Sequence, residues 1–515
     1  GGMVEVTQFN FKGQPLASHR RLFAAYTDVP NWSDANLAND LEPDVFTTAL
    51  TYDALGRTVQ TMLPDGDIEK VVFNAAGLVE RKTITHNAAE DSVIADIGYN
   101  AKGQRIRMEL GNGVATTYRY DRQTFALIRL TTRKAGGELL QDLRFTYDVA
   151  GNVSHIADRA IPLQFFNNQV VTGTTTYRYD AVYRLAEATG RENNAALTFG
   201  VHDNWNDAGY MREASAGDPA ATRDYTQVYT YDPLGNITRM RHHAAGNNWT
   251  RDYTYAAGNN RMLSTIQGTQ VYHYGYHPQH GFINAMPHLE DLGWNFKEKL
   301  VRSVRQKVMS GTAETTYYQY SADGTRLRKI TEHAASAGQT PSKKEERVYI
   351  GAYERYRKFT GNHAGLVRHG LGVHDASGRM ALIETRNGVN DGTDQRRVRY
   401  QLANHLSSVN LEVDDLGNVI SYEEYHPFGS TAYQARNAAI KVAAKRYRYT
   451  GRERDEETGL EYHSARYYLP WLGRWLSADP IGTGDGLNVY RYAKNNPGSF
   501  NDTNGNETDE QKASR

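Results

Sequence analysis

Hydrophobic and polar positions alternate along most of the chain in short stretches, the pattern of half-buried β-strands. Residues 56–63 (GRTVQTML) are one example. Between the stretches lies a recurrent four-residue segment: an Asp, Asn or Ser, two variable residues and a Gly, often preceded by Tyr. Its copies are residues 10–13, 53–56, 74–77, 100–103, 148–151, 232–235, 321–324, 375–378 and 414–417. Two further copies, Tyr120-Asp121 and Tyr179-Asp180, lack the Gly.

The residue types in this segment predict a turn. A side-chain oxygen at the first position can accept bonds from the backbone two residues on, and Gly at the fourth tolerates positive φ. Second turns occur at Asp65-Gly66, Asn112-Gly113 and Asn387-Gly388, dipeptides typical of tight hairpins. The closest copies lie 21 to 26 residues apart, which is enough for two strands and two turns. We therefore predict an all-β fold, a continuous antiparallel β-hairpin ribbon; unrelated hairpins in several β-domains remain the alternative.

Three segments depart from this rhythm. Residues 284–309 interrupt the repeat and predict a helical turn or an inserted loop. Residues 435–444 are rich in Ala and predict a short helix. The polar residues 504–515 predict a disordered tail.

The composition favours a sheet over a compact globule. Only 39% of the 515 residues are hydrophobic and the mean hydropathy is -0.68, which is low for a chain that should bury most of its surface. The 35 Tyr outnumber the 15 Phe. Because a Tyr ring packs while its hydroxyl can remain hydrated, we expect a sheet that is wetted on both faces.

Charge and cysteine content exclude several classes of protein. The 59 basic and 59 acidic residues give a net charge of +0, which argues against binding nucleic acid or an anionic membrane through bulk charge. The absence of Cys excludes disulfides, thiol catalysis and Cys-ligated metals. No run of 18 apolar residues predicts a membrane span. The first residues, Gly1-Gly2-Met3, are followed at once by polar strand-like sequence, so we expect no signal peptide.

The C-terminal part carries a longer and more specific set of motifs. They lie at residues 400–415, 420–429, 446–455, 459–460, 465–468, 473–480, 486–492 and 495–497. With the Tyr-Asp turns, they resemble the RHS/YD-repeat polymorphic toxins, and in particular the RHS shell and RHS-associated core domain of Tc toxin complex B and C components. The opening segments at residues 11–13, 30–32 and 51–53 resemble the middle of such a repeat array.

This resemblance implies that the ribbon spirals into a hollow shell. Residues 1–399 would form a segment of the shell, residues 400–503 the core domain that plugs it, and residues 504–515 the polar tail. The shell would enclose a C-terminal effector that this chain lacks, and a second shell-forming chain or an N-terminal region would complete it. Export with a toxin complex is expected from the same resemblance. The alternative function is a cell-surface module for adhesion or carbohydrate binding.

The resemblance also implies a self-cleaving aspartyl site that cuts after an Asp-x-x-Gly-Leu motif. The matching carboxylates are Asp479 and Asp502, and Arg474 is the candidate orienting cation. Two carboxylates held close together share a proton, so one acts as the acid and the other activates water. The chain departs from the motif, with Asn506 at the Leu position and Thr503 at the usual Pro. The alternative is that both aspartates only stabilise turns.

Other candidate sites have simpler interpretations. The pair His242-His243 has no third ligand at a useful spacing, so we expect solvent-exposed histidines, no metal site and no cofactor. The acidic pair Glu423-Glu424 predicts solvated charges. The alternation of Arg and Tyr in residues 446–449 is also found in single-strand binders, but we favour cross-strand packing and predict no nucleic-acid partner.

Overall fold

A computed structural model describes the chain as an almost entirely β protein. The described residues are 1–28, 33, 36–162, 164–166, 169–193 and 222–510, so the predicted array motif at residues 30–32 lies outside them. Within these ranges, the helical segments are short 3-10 turns at Leu37–Asp40, Tyr449–Gly451, Gly482–Asp485 and Ala493–Asn495. No helix in the described ranges is long and apolar enough to cross a membrane.

The first strands in chain order are β1 Gly2–Phe9, β2 Pro15–Leu22, β3 Phe46–Tyr52, β4 Thr58–Met62, β5 Ile68–Phe73, β6 Val79–His86, β7 Ala89–Tyr99, β8 Arg105–Leu110, β9 Ala115–Tyr120, β10 Leu127–Arg133, β11 Leu139–Tyr147, β12 Val153–Asp158, β13 Gln164–Phe166, β14 Gln169–Val171, β15 Thr174–Tyr179, β16 Leu185–Asn193, β17 Thr222–Tyr231, β18 Ile237–Ala244, β19 Trp249–Tyr255, β20 Met262–Gln267 and β21 Gln270–His273.

The remaining strands are β22 Gly275–Tyr276, β23 Ile283–Ala285, β24 Asp291–Trp294, β25 Leu300–Val304, β26 Thr315–Tyr320, β27 Arg326–Glu332, β28 Lys343–Ile350, β29 Tyr353–Lys358, β30 Leu366–Asp375, β31 Gly378–Gly388, β32 Arg396–Ala403, β33 Val409–Val413, β34 Val419–Tyr425, β35 Thr431–Arg436, β36 Glu453–Arg454, β37 Glu461–His463, β38 Arg466–Leu469, β39 Arg474–Trp475, β40 Phe500–Asn501 and β41 Asp509–Glu510.

The chain divides into two compact units. The first comprises Gly1–Thr116, Ser310–Tyr400 and Asp414–Gly417; the second comprises Thr117–Met309, Gln401–Val413 and Asn418–Arg515. In the first unit, β1 to β8 pair antiparallel, each with its neighbour in sequence, and β26 to β31 do the same.

The second unit follows the same rule. Strands β15 to β21 pair antiparallel in sequence order, and β12 pairs with β15 across the separate β13–β14 hairpin. The predicted all-β ribbon of antiparallel hairpins is therefore confirmed. The chain returns to the second unit at Gln401, one residue after the predicted start of the core segment. The predicted domain boundaries themselves stay a prediction.

The turn at Asp53 shows how each copy of the repeat is built. Asp53 Oδ1 accepts hydrogen bonds from the backbone N–H of Leu55 at 3.0 Å and of Arg57 at 2.9 Å. Gly56 has a φ of 84°, a conformation that side chains with a Cβ disfavour. The Arg57 guanidinium then binds Asp53 Oδ2 at 2.7 Å. One acidic residue thus organises both the backbone and the side chains of the turn.

Several copies use another residue where Gly is expected. Tyr183 and Phe125 hold the left-handed position of the two predicted copies without Gly, with φ of 64° and 61°. Glu298 and Ser407 do the same in copies that begin at Asn295 and Asn404. The expectation of a helical turn or a loop at 284–309 was therefore wrong, because this segment holds strands and a turn of the repeat.

A Tyr at the end of a strand contacts the start of the preceding strand of the same sheet in seven places. Its hydroxyl donates to the backbone carbonyl of the first residue of that strand, at 2.6 to 2.9 Å. The donor and acceptor pairs are Tyr52–Pro15, Tyr99–Val79, Tyr147–Leu127, Tyr179–Val153, Tyr231–Leu185, Tyr255–Ile237 and Tyr425–Val409. Burial raises the pKa of Tyr231 well above its usual value. The expectation of hydrated hydroxyls was wrong for these residues, since their hydroxyls bind backbone.

Two further local expectations differ from the structure. Residues 435–444 form the end of β35 and an irregular segment, with no helix. The tail is ordered at its start, because Gly505 is buried and β41 pairs with β40. Strand pairing and burial therefore override the polar and Ala-rich composition of these segments.

We expect Tyr231→Phe to lower the free energy of unfolding by about 1–2 kcal/mol, because the Leu185 carbonyl loses its donor while the ring remains. Urea unfolding followed by circular dichroism measures the change. Tyr183→Phe is the matched control, since Tyr183 lies at a turn and is 54% exposed. Equal stability of wild type and Tyr231→Phe would contradict a stabilising role for the hydroxyl.

Candidate self-cleavage site

The candidate site lies in the part of the second unit that surrounds β36 to β39, a small antiparallel sheet. Large side chains fill its interior. Tyr468, Trp475 and Tyr492 are fully buried, and the rings of Tyr468 and Tyr492 stack with centroids 4.0 Å apart. This aromatic packing fixes the strands that carry the charged residues of the site.

Asparagines attach this region to the turns of the repeat. Asn488 Nδ2 donates to Asn236 Oδ1 at 2.8 Å, and Asn495 Nδ2 donates to the Gly235 carbonyl at 2.7 Å. Asn496 Nδ2 donates to Asn152 Oδ1 at 2.8 Å. Asn152 and Asn236 both directly follow the left-handed Gly of a turn. The segment 488–496 therefore recognises the same position in two copies of the repeat.

Both candidate carboxylates contact one arginine, Arg466. Its Nη2 lies 2.8 Å from Asp479 Oδ2 and 3.2 Å from Asp502 Oδ2. The side chains of Arg466 and Asp502 are each 1% exposed. The guanidinium also packs over the Trp475 ring, 4.2 Å from its centroid. The structure thus brings Asp479 and Asp502 together around a buried cation.

The other oxygens of the two aspartates bind backbone. Asp479 Oδ1 accepts from the N–H of Ile481 at 3.1 Å, and Asp502 Oδ1 accepts from the N–H of Gly505 at 2.7 Å. Arg466 Nε donates to the Gly505 carbonyl at 2.6 Å. The turn bonds expected in the alternative interpretation are present, and they leave one oxygen of each aspartate for Arg466.

Arg474 occupies a different position from the one predicted. Its Nη2 donates to the carbonyl of Asn260 at 2.8 Å, and its guanidinium lies over the rings of Tyr255 and Tyr490. Arg466 holds the place expected for the orienting cation. Both arginines belong to motifs of the core region, but the sequence alone does not show which faces the carboxylates.

Burial shifts the pKa values of Asp479 and Arg466 in opposite directions. Burial raises the pKa of Asp479, although the positive charge of Arg466 opposes the shift, and Asp502 adds to it. Burial lowers the pKa of Arg466, against the opposing effect of Asp479 and Asp502. A raised pKa lets Asp479 retain a proton more readily than an ordinary aspartate, as a general acid requires.

The acidic pair Glu423-Glu424 is not solvated as expected. Glu423 is 0% exposed and pairs with Lys445 at 2.9 Å and Arg448 at 3.4 Å. Burial would raise its pKa, but the charges of Arg448, Lys445 and Arg454 lower the pKa to about 2. Glu424 binds Arg191 instead.

The alternating Arg and Tyr side chains of residues 446–449 are buried in the same region, as the packing interpretation predicts. Within the described residues, these basic and aromatic groups therefore do not form an exposed surface of the kind that binds a single strand.

Comparison with known proteins identifies the family. No family model matches the chain. Toxin subunit YenC2 of Yersinia entomophaga is 34% identical over 526 residues, 98% of this chain and 53% of that protein. Toxin subunit YenC1 of the same organism is 32% identical over 491 residues, 92% of this chain and 49% of that protein. The chain thus spans about half the length of these curated relatives.

Solved structures agree with the sequence relatives. The crystal structure of TcdB2-TccC3 superposes with a TM-score of 0.83 at 31% identity, over 98% of this chain and 24% of that chain. A Photorhabdus luminescens Tc holotoxin pore superposes with a TM-score of 0.81 at 31% identity, over 96% and 23%. This chain belongs to the RHS-repeat Tc toxin family. The resemblance inferred from the Tyr-Asp turns and the core motifs is confirmed, and the chain shares the fold of the Tc toxin RHS shell.

We expect the stability of Asp479→Asn relative to wild type to increase with pH between pH 4 and 7. A carboxyl whose folded pKa is raised contributes stability that is complete below its unfolded pKa and is lost as pH rises through the folded pKa. Asn does not titrate and escapes this loss. Thermal unfolding across the pH range measures the difference.

The control for this experiment is Asp96→Asn, which removes an exposed carboxylate from the first unit. Its stability relative to wild type should stay nearly constant over the same range. A difference for Asp479→Asn that is constant or falls with pH would contradict the raised pKa.

Proposed function

We propose that this chain is a segment of the encapsulating shell of an exported Tc-type toxin and that it encloses a C-terminal effector. The single observation that carries the proposal is the match to TcdB2-TccC3 over 98% of the chain. The hairpin ribbon supports it, because strands that pair with both neighbours form a wall whose edges are covered. The mechanism is steric isolation of the effector, with a partner chain completing the shell.

The core segment, residues 400–503, is proposed to plug the shell. Contacts within the second unit support this role, because Asn488, Asn495 and Asn496 bind the turns at residues 148–152 and 232–236. A segment that binds repeated turns can attach to an array of hairpins without a dedicated apolar interface. This attachment would hold residues 500–510 at a fixed position relative to those turns.

Cryo-electron microscopy of the chain bound to a TcdB2-type partner tests the encapsulation proposal. An enclosed volume bounded by a wall of one sheet is the expected result. A solid body, or two sheets packed face to face, would overturn it, and an open, exposed aromatic surface would favour the adhesion module.

We further propose that Asp479 and Asp502 form the acid–base pair of a self-cleavage reaction at the bond between Asn506 and Glu507. Asp479 donates its proton to the Asn506 carbonyl oxygen, while Asp502 removes a proton from the attacking water. As the C–N bond breaks, Asp502 passes the proton taken from water to the Glu507 nitrogen, and Asp479 recovers a proton from a hydroxyl of the tetrahedral intermediate. Glu507 then leaves with a free amine, Asn506 keeps the new carboxylic acid, and both aspartates return to their starting states. Arg466 contacts both carboxylates and positions them.

We expect Asn506→Leu to increase cleavage at least about tenfold, because an apolar side chain at this position restores the anchor that the family motif places before the bond. Intact mass spectrometry detects loss of the nine residues after position 506. Asn506→Gln is the polar control and should behave as wild type.

The double variant Asn506→Leu with Asp479→Asn should remain intact, since the proton donor is gone. Cleavage of the double variant at the rate of Asn506→Leu would exclude Asp479 as the acid. An intact Asn506→Leu chain of folded protein would overturn the proposed scissile bond.

A further inference from the structure

A second buried cluster lies in the second unit, away from Asp479 and Asp502, and consists of Glu192, His242 and His426. His242 Nε2 lies 3.0 Å from Glu192 Oε2, and His426 Nε2 lies 3.4 Å from the same oxygen. One oxygen or nitrogen of each residue falls within 4.8 Å of the others. His242 is 1% exposed, so the expectation of a solvent-exposed histidine was wrong for His242, although its neighbour His243 is exposed.

Strand geometry explains why the sequence did not reveal this cluster. Glu192 lies on β16 and His242 on β18, with β17 paired between them. Alternation along β18 turns His242 inward and His243 outward. The third ligand therefore comes from neighbouring elements rather than from a nearby position in the chain, which is where spacing motifs look.

His426 occupies a special position in the repeat. It stands where the turns have Asp or Asn, in the segment 425–429 (YHPFG), and the Gly429 N–H donates to its carbonyl at 2.8 Å as in the other turns. An Asp there would direct its carboxylate to the turn backbone. The imidazole instead directs Nε2 toward Glu192, and apart from the contacts within the cluster, His426 Nε2 and Glu192 Oε2 are buried without a hydrogen-bond partner.

The surrounding groups orient the three ligands. His426 Nδ1 lies 3.1 Å from Ser430 Oγ, and His242 Nδ1 lies 3.2 Å from the Gln227 side-chain amide. Either contact can accept an N–H from Nδ1, because the Ser hydroxyl rotates and the Gln amide can be flipped. Nε2 of each histidine then presents a lone pair, and Nε2 of His242 also lies 3.4 Å from the Asn247 side-chain amide nitrogen. Such outer hydrogen bonds are characteristic of metal-bound histidines.

The carboxylate and one imidazole are also held from the side away from the cluster. Glu192 Oε1 accepts from Arg223 Nε at 2.8 Å, which leaves Oε2 for the cluster. The His242 ring stacks between Trp249 and Tyr225, with centroids 5.0 and 5.6 Å away.

A cavity of about 290 Å³ borders all three residues. Tetrahedral zinc sites bind imidazole nitrogen and carboxylate oxygen at about 2.0–2.2 Å, which places neighbouring ligand atoms about 3.4 Å apart. The separations of 3.0 and 3.4 Å between Glu192 Oε2 and the two histidine Nε2 atoms are close to this value. Three protein ligands beside a cavity leave a fourth position for water.

We propose that Glu192, His242 and His426 bind one Zn²⁺ ion. The ion would join two strands of the hairpin array to the core segment, because Glu192 and His242 belong to the repeat region and His426 to residues 400–503. The ion would thus link the repeat region to the core segment. A bound ion stabilises the folded state that presents its ligands and not the unfolded chain.

The test uses untagged full-length chain, stripped with a chelator and then incubated with Zn²⁺ alone. We expect one zinc per chain by elemental mass spectrometry, a saturable isotherm by calorimetry, and a rise in Tm on zinc addition. Co²⁺ in place of Zn²⁺ should give the intense visible absorption of a tetrahedral site. Absence of stoichiometric binding in the folded wild type would overturn the proposal.

His426→Asn is the decisive variant. Asn is a natural first residue of this turn, as at Asn74 and Asn100, so the variant should fold. We expect at least about 100-fold weaker zinc binding, loss of the tetrahedral cobalt spectrum and no rise in Tm. The control His243→Ala removes the adjacent exposed histidine and should bind like wild type.

Glu192→Gln provides a second test that does not alter a turn, since it keeps the shape of the side chain and removes its charge. It should also weaken zinc binding. Unchanged affinity and spectrum in folded His426→Asn and Glu192→Gln would show that zinc binds elsewhere and would overturn the assignment.

Discussion

The hydrogen bond from the repeat Tyr hydroxyl to the carbonyl of the preceding strand is the contact on which the ribbon depends. A hairpin alone is marginally stable in water, so a long array needs a regular connection between units. In this chain the Tyr at the end of one strand binds the start of the strand before it, as Tyr231 does to Leu185. The Tyr and the residue that accepts its hydrogen bond both lie beside turns. The contact therefore fixes the register of the two strands relative to each other. The high Tyr content is therefore a structural requirement of the repeat.

This construction also explains how a chain with few hydrophobic residues remains folded. Burial is distributed along the ribbon, and charged groups that enter it pair with groups of opposite charge in several places. Arg328, for example, is fully buried, with its Nε 2.6 Å from Glu346 Oε1. Breaking such a pair leaves an uncompensated charge in a buried position, so these contacts specify the arrangement even where their net contribution to stability is small.

The turns of the repeat were predictable from local sequence. The direction of a side chain from its strand, and its contacts with residues distant in sequence, were not. Turn copies with Gly were recognisable because one residue type marks the left-handed position, whereas Glu298 and Ser407 hold it without that mark. The aspartates were found through their motif, but Arg466 and not Arg474 meets them. These arginines lie on the adjacent strands β38 and β39, and only the direction of each side chain separates their roles. His242 was misjudged for the same reason.

In the proposed shell, the core region must meet two opposing demands, stable attachment and release of the downstream chain, and the position of the carboxylates reconciles them. Asp502 and the Gly505 carbonyl both bind Arg466, so they are part of the packed core. A cut after Asn506 would leave these contacts intact and remove residues 507–515, which include β41. Buried charge compensation at Arg466 would thus hold the core in place before and after cleavage. Arg466, which positions the two carboxylates for the reaction, would therefore also keep the core segment attached after cleavage.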